Sequence, residues 1–331
     1  ITITYGFVFN AVQTNSIVDA VAGSVGDKTF GLQVVVGTGV ALCVAAVIFG
    51  GVRRISAVSQ IVVPVMAAAY LVIGAVVVIL NVGEVPGMFR LIFENAFGIQ
   101  EIVGGGFGAA FMNGIRRGLF SNEAGMGSAP NAGATASVSH PVKQGLVQSL
   151  GVYFDTWLVC SITAFIILLS EPEFGGGIEG AAMTQNALSL QLGDWTVHFL
   201  TVMIFFLAFT SVIGNYYYSE SNIEFLTGTR RALPYLRSAV VLCVFLGAIG
   251  SVPLVWALAD LSMGVMAIVN LIALIPLSGI AYALFHNYTA QRKQGRDPVF
   301  RRGDVPGLRG IQVWGEDDEF TPSSGNTPRT R

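Results

Sequence analysis

The run Arg117-Gly-Leu-Phe-Ser-Asn-Glu-Ala-Gly-Met-Gly-Ser-Ala-Pro130 sets polar side chains and glycines between two apolar segments. With its flanks, residues 104–137, it is long enough to cross one bilayer. Its middle is excluded from a lipid-facing helix, because Ser121, Asn122 and Glu123 would be costly in hydrocarbon. Irregular backbone survives at membrane depth only when it is buried in protein or lines a wet cavity. Losing the helix frees carbonyls for a cation, and the start of the second half offers amide N–H groups to an anion. Ser128 and Pro130 suit that second start, as a cap and a first-turn proline. A helix broken at the midplane is how secondary transporters build a substrate site. The alternative is a polar loop joining two short helices.

Composition agrees with a membrane setting. The chain is 53% hydrophobic and 11% charged, with a mean hydropathy of +0.66; soluble domains carry about twice that charge. A net charge of −2, without basic residues interleaved with aromatics, gives no reason to expect a nucleic-acid partner. Cys43, Cys160 and Cys243 sit singly in separate apolar segments and read as packing residues rather than disulfide or metal ligands. The first residue, Ile1, already lies inside an apolar stretch, so a preceding N-terminal part is expected to be missing.

Eight apolar segments are expected to span, at 1–22, 34–51, 55–82, 104–137, 142–170, 195–218, 233–250 and 254–285. The last is long, with Pro276 as a kink point, and charge decides whether it is one span or two. With eight crossings, one side receives Arg53, Arg54, Lys143, Arg230, Arg231, Arg237 and all the basic residues beyond Gln291. The other side receives only Lys28 and Arg90. Splitting the last segment would put the basic tail on that poorer side, so one span is expected, with the basic side cytoplasmic. Residues 1–288 then form a transmembrane domain, and 289–331 a polar cytoplasmic tail that is mostly disordered. The glycine run starting at Gly104 lacks the strand and Lys-Ser/Thr of a phosphate loop. Asn287-Tyr288-Thr289 falls at a cytoplasmic helix end and is read as a chance glycosylation match.

Polar residues at membrane depth mark the candidate site. Asn10 and Gln13 share a helix face, either joining helices or meeting a ligand. Asp155 lies near the middle of its span, where a carboxylate needs a cation, a proton or an arginine. Glu123, inside the break, faces the same demand or accepts hydrogen bonds from unwound amides. Arg117 lies just before the break; paired with Asp260 it would close the site from outside, although Asp155 is an equal claimant for an arginine. In the sixth segment, the Leu207 carbonyl and the Thr210 and Ser211 hydroxyls converge beside one helix. Such hard oxygens suit Na+; the alternative is hydroxyls bonding back to their own helix.

These motifs together resemble the alanine or glycine:cation symporter family. The 117–130 run is the most specific part, joined by His140-Pro-x-x-Gln-Gly145, Asp155-Thr156, Asn10-Ala-Val-Gln-x-Asn15, Gly50-Gly51 with its following arginines, Trp256-x-x-x-Asp260 and Asn270-Leu-Ile-Ala-Leu274. The resemblance covers about residues 5–288. It implies an all-α membrane protein of the leucine-transporter-type inverted-repeat fold. About eight helices would be present (spans three to ten), with one broken and spans one and two missing. It also implies import of alanine, glycine or a similar small neutral amino acid with Na+, with H+ as the alternative coupling ion. No organic cofactor and no protein partner are implied. By the same resemblance Phe120, Ser121 and Asn122 line the substrate site, with Gln13 as a further contact, and Leu207, Thr210 and Ser211 contribute to a sodium site. Two positions depart from the family pattern. Asn215 stands where the family has Trp, and Asn131-Ala-Gly133 stands where it has Ile-Ala-His. A carboxamide in place of an indole enlarges and polarises one pocket wall.

Other classes fit less well. A channel would favour a subunit-symmetric pore with short re-entrant filters. An enzyme lacks its constellation, since His140, His198 and His286 are scattered and no His-Glu-x-x-His occurs. A non-transporting sensor homologue is the remaining alternative.

Overall fold

The computed structural model describes residues 1–97, 106–123, 125–171, 180–305, 311 and 313–315. The glycine run at 104 and the end of the tail lie partly outside these. Among the described residues every regular element is helical. A π-helical turn, Thr4–Phe9, leads into α1 (Asn10–Val25). Then come α2 (Phe30–Ile48), α3 (Val52–Leu80), α4 (Val85–Phe97), α5 (Gly106–Asn122) and α6 (Ser128–Gly133). α7 (Pro141–Tyr153) continues through a π-helical segment, Phe154–Cys160, into α8 (Ser161–Leu168). The chain ends with α9 (Ala181–Leu192), α10 (Trp195–Thr227), α11 (Leu233–Ile249) and α12 (Val252–Lys293).

Six helices among the described residues are long and apolar enough to cross a membrane, at Phe30–Ile48, Arg53–Leu80, Pro141–Leu168, Trp195–Thr227, Arg230–Ile249 and Val252–Lys293. Of the eight expected segments, 1–22 and 104–137 do not yield such a helix among the described residues. The first segment is helical, but Asn10, Gln13, Asn15 and Asp19 dilute its hydropathy. The 104–137 segment is divided between α5 and α6. The last segment is a single 42-residue helix with Pro276 inside it. Large apolar side chains such as Val35, Leu42, Ile61, Ile272 and Ile275 stand exposed along the spans, as lipid contact requires.

The chain divides into two compact units, residues 1–122 with 154–266 and residues 123–153 with 267–331. The first unit holds two buried clusters. One joins α1, α2, α10 and α11 through Ile17, Val44, Val212, Tyr216, Val240 and Val244. The other joins α3, α8, α9 and α10 through Tyr70, Val77, Ile166, Leu188 and Met203. α10 belongs to both, so its polar residues are held from two sides. Small residues bring these helices close, as bilayer packing demands. A Cβ at Gly37 would come within 2.4 Å of the Ala248 side chain, and one at Gly247 within 2.4 Å of the Ala11 backbone.

The second unit gathers the break, α7, the end of α12 and the following residues. Part of the stretch from 289, expected to be mostly disordered, lies among the described residues. α12 runs on to Lys293. Phe300 is buried, and its N–H donates to the Ser139 carbonyl at 2.8 Å. Lys143 Nζ holds both oxygens of Asp297, at 2.7 and 2.8 Å. His140 is enclosed between the Tyr288 and Phe300 rings, and that burial holds its pKa below the usual imidazole value.

Candidate functional site

In the first unit, aromatic rings form a ladder across four helical segments. Tyr218 of α10 lies 5.3 Å from Tyr5, Tyr5 lies 5.0 Å from Phe9, and Phe9 lies 5.1 Å from Phe120. Phe120 in turn lies 5.2 Å from Trp256 of α12. Arg117, one turn before Phe120, stands with its guanidinium carbon 4.9 Å from the Trp256 ring and 5.8 Å from that of Phe120. Its Nη2 donates to both oxygens of Asp260, at 2.7 and 2.9 Å. Sequence spacing suggested this ion pair, but gave no sign of the ladder beneath it.

Ser121, on the last turn of α5, donates its hydroxyl to Asp155 Oδ2 at 2.9 Å and lies 3.0 Å from Cys160 Sγ. The Ser hydroxyl proton serves Asp155, so the thiol is the donor to Ser121 Oγ. Both partners come from the π-helical segment Phe154–Cys160. Such turns often mark functional positions. The arginine partnership weighed for Asp155 is not the one formed; among the described residues its partner is Ser121. Asn122, half-buried, ends α5.

The amides of α1 divide into two roles. Asn15 Nδ2 donates to the carbonyls of Gly247 and Gly250, at 3.0 and 2.8 Å, and so ties α1 to the end of α11. Asn10 Nδ2 bonds back to Gly6 O at 3.0 Å. Gln13 is half-buried and makes no hydrogen bond among the described residues. It shares the face of Phe9 and Ser16 by helical spacing, so it follows the ladder along α1.

On α10, Thr210 Oγ1 and Ser211 Oγ both donate to the Leu207 carbonyl, at 2.9 and 3.0 Å. The back-bonded alternative is the arrangement present, and it also clusters three hard oxygens on one turn. Oxygen donors of this kind fit a hard cation, which is held by several at once. Leu207, Ser211 and Asn215 recur at four-residue spacing and share a face. Asn215 is buried, and no hydrogen bond engages its carboxamide among the described residues.

The break belongs to the second unit. Glu123 adopts φ 52°, the left-handed region that non-glycine residues rarely enter, and Gly125 and Gly127 follow at 83° and 94°. The freed carbonyls find partners. Asn270 Nδ2 donates to Gly125 O and Asn131 Nδ2 to Gly127 O, each at 2.8 Å. These bonds satisfy irregular backbone that lipid could not. Sequence reasoning quoted Asn270 within a motif and gave it no role; a lone amide amid apolar residues of a span was the available signal. The expected cap is also corrected. Gly127, not Ser128, occupies the cap of α6, because its left-handed backbone turns the chain into the helix. Ser128 is instead buried, with its hydroxyl unpartnered among the described residues.

Six helices among the described residues with the length and composition to cross a membrane define a multi-pass helical membrane protein. The chain belongs to the sodium:alanine symporter family, whose sequence profile matches residues 1–302. It is therefore a member of a transporter family rather than an enzyme family. It is 48% identical over 320 residues to the amino-acid carrier protein AlsT of Bacillus subtilis (strain 168), covering 96% of this chain and 67% of that protein. It is 44% identical to the probable sodium/glutamine symporter GlnT of the same strain, covering 97% and 66%. It is 39% identical to the sodium/alanine symporter AgcS of Methanococcus maripaludis, covering 86% and 62%. The chain thus spans about two thirds of the length of these relatives.

Proposed function

We propose that this protein is a secondary active symporter that imports a small neutral amino acid with Na+ by alternating access. One observation carries this reading: α5 ends at Phe120-Ser121-Asn122 against an aromatic ladder and a carboxylate, where a zwitterion has both apolar and polar contacts. The Leu207, Thr210 and Ser211 oxygens supply part of the ion site. They favour Na+ over H+, because none of them titrates near neutral pH. The relatives named as a probable sodium/glutamine symporter and a sodium/alanine symporter support sodium as a coupling ion. The fold follows the leucine-transporter-type inverted repeat, with residues 1–288 as the transport domain and the basic loops and tail in the cytoplasm of a plasma-membrane protein.

Arg117 and Asp260 act as a gate on the ladder. Exposed ion pairs contribute about 0.2–1 kcal/mol and exposed cation–π contacts about 0.5–1 kcal/mol. A latch of that strength opens within thermal reach, as alternating access needs. Glu123 fixes the strained turn at the start of the break.

Asp155→Asn keeps an acceptor oxygen for Ser121 and removes the charge. Maximal amino-acid uptake is expected to fall at least about tenfold, with surface expression and monodispersity unchanged. Normal uptake by a folded Asp155→Asn protein would make Asp155 a structural acceptor only.

Asn215 bears on substrate choice. Its free carboxamide gives a wall that suits a side chain larger or more polar than a methyl group, and one relative is named for glutamine. Asn215→Trp is expected to shift preference toward alanine and glycine and to weaken serine, threonine and glutamine by about tenfold, the scale of one lost polar contact in a site. Competition of labelled alanine by an amino-acid panel on both forms measures this. Identical profiles would remove Asn215 from the pocket wall.

A further inference from the structure

Where α12 ends, in the second unit, the chain turns back on itself around a polar cavity of about 400 Å³. Small-ligand sites usually measure about 300–1,000 Å³. Gly295, at φ 73°, closes the helix. Its N–H donates to Arg292 O at 3.0 Å, and the Arg296 N–H reaches back to Gln291 O at 3.1 Å. Gln291 then holds the returning chain: its Nε2 donates to Val299 O at 2.9 Å, and its Oε1 accepts the Val299 N–H at 3.0 Å. A tight turn follows, in which Asp304 Oδ2 accepts the Arg301 N–H at 2.9 Å. The cavity is walled by Asn287, Gln291, Arg296, Val299, Arg301 and Asp304.

The donors in these walls are largely unused. Arg296 and Arg301 are engaged through their backbones; their guanidiniums make no hydrogen bond or ion pair among the described residues. Asn287 Oδ1 accepts from His140 Nε2 and Gln291 Nε2, at 3.2 and 2.7 Å, so its NH2 group is the half of the amide left to donate. Asp304 is the only carboxylate in the walls, so two arginines against one aspartate leave one surplus positive charge. Converging donors with one surplus charge match a singly charged oxyanion. A phosphodiester carries one negative charge shared by its terminal oxygens, which a guanidinium meets in bidentate fashion.

The place on α12 selects the source of that group. Leu277, Tyr282 and Phe285 stand exposed on the helix, and no exposed large apolar side chain follows them before it ends. Asn287 and Gln291 lie about 3 and 9 Å beyond Phe285 along the axis, at about 1.5 Å per residue. The headgroup layer extends about 5–8 Å outside the hydrocarbon, so these walls stand at headgroup depth. Arg292 and Lys293 on the last turn add to the positive field there. We propose that this cavity binds the phosphodiester headgroup of an anionic phospholipid. Arg296 and Arg301 grip the phosphate from the returning chain, and the Asn287 amide donates to it from α12. The bound phosphate bridges the helix to the returning chain and offsets the repulsion between two arginines lining one cavity, so it fastens that chain in place. The proposal needs α12 to cross the bilayer and is independent of the symport reading.

The test is lipid retention, by native mass spectrometry, and thermal unfolding of the purified full-length carrier in nanodiscs of phosphatidylcholine with and without phosphatidylglycerol. Wild type is compared with Arg296→Gln/Arg301→Gln and with Arg292→Gln/Lys293→Gln, which removes the same charge outside the cavity walls. Wild type is expected to retain a phosphatidylglycerol tightly and to unfold at a higher temperature when that lipid is present. Affinity for it should fall about tenfold or more in the cavity variant, the scale of one charge-assisted contact. The control variant should stay near wild type. Both altered arginines of the cavity are exposed, so all three proteins should unfold alike in phosphatidylcholine alone. Equal retention by wild type and the cavity variant, or an equal loss in both variants, would overturn the site. Inorganic phosphate and glycerophosphoglycerol, the headgroup without its acyl chains, should give no comparable stabilisation in detergent. A gain from either that matched the lipid's would overturn the lipid as occupant.

Discussion

Gly247→Ala is expected to prevent α1 from docking on α11 and to leave little monodisperse protein. The added Cβ would lie 2.4 Å from Ala11 Cα and 2.7 Å from Ala11 O. Both are backbone atoms, so no rotamer change relieves the overlap and the helices must separate. Separation also pulls Asn15 Nδ2 from the carbonyls of Gly247 and Gly250, now held at 3.0 and 2.8 Å. Overpacking alone costs about 1–3 kcal/mol, and a buried amide left without partners adds about 1–3 kcal/mol. The total is a large part of a net stability of about 5–15 kcal/mol. Gly39→Ala is the control, because nothing lies within 4 Å of a Cβ there. In a helix interior that change is neutral or stabilising. Thermal unfolding and size-exclusion profiles in detergent should separate the two variants sharply. Matching behaviour would mean that α1 and α11 do not meet at Gly247.

Thr210→Ala with Ser211→Ala should raise the Na+ concentration for half-maximal uptake at least tenfold, or remove Na+ dependence altogether. The double change deletes two of the three oxygens that meet on this turn of α10. Ligand number sets how tightly a hard cation is held, and each tenfold in affinity corresponds to about 1.4 kcal/mol. Folding should suffer little. Among the described residues both hydroxyls bond only to Leu207 of their own helix, and alanine is the better helix former. The effect should therefore appear in the ion dependence, with expression and the unfolding temperature near wild type. Unchanged Na+ dependence in a folded double variant would take these oxygens out of the ion site.

Much of the architecture was legible because a bilayer imposes simple demands. Length and hydropathy placed the long spans, and the charge count kept α12 whole. The break showed itself as polar residues and glycines where lipid would exclude them. What sequence could not supply was the identity of each partner. Asp155 and Ser121 are 34 positions apart, and a π-helical turn at Phe154–Cys160, which leaves no mark in hydrophobic periodicity, carries the carboxylate. The aromatic ladder was hidden for the same reason. Phe9, Phe120 and Trp256 are ordinary apolar residues in their own segments and become a unit only through packing. The cap at Gly127 was missed because Ser128 has the favoured side chain, whereas backbone conformation decided the position. One buried ring, Phe300, and one ion pair, Lys143–Asp297, anchor residues just past α12, and the loose composition there gives no sign of them.

The central claim is that an amino acid and Na+ move together. The most direct measurement is uptake of labelled alanine, with glutamine in parallel, into liposomes holding the full-length carrier, with and without an inward Na+ gradient. The account predicts accumulation above the outside concentration when the gradient is present, and loss of that accumulation when the gradient is collapsed or Na+ is replaced by K+. Entry that only equilibrates and ignores the Na+ gradient would contradict it.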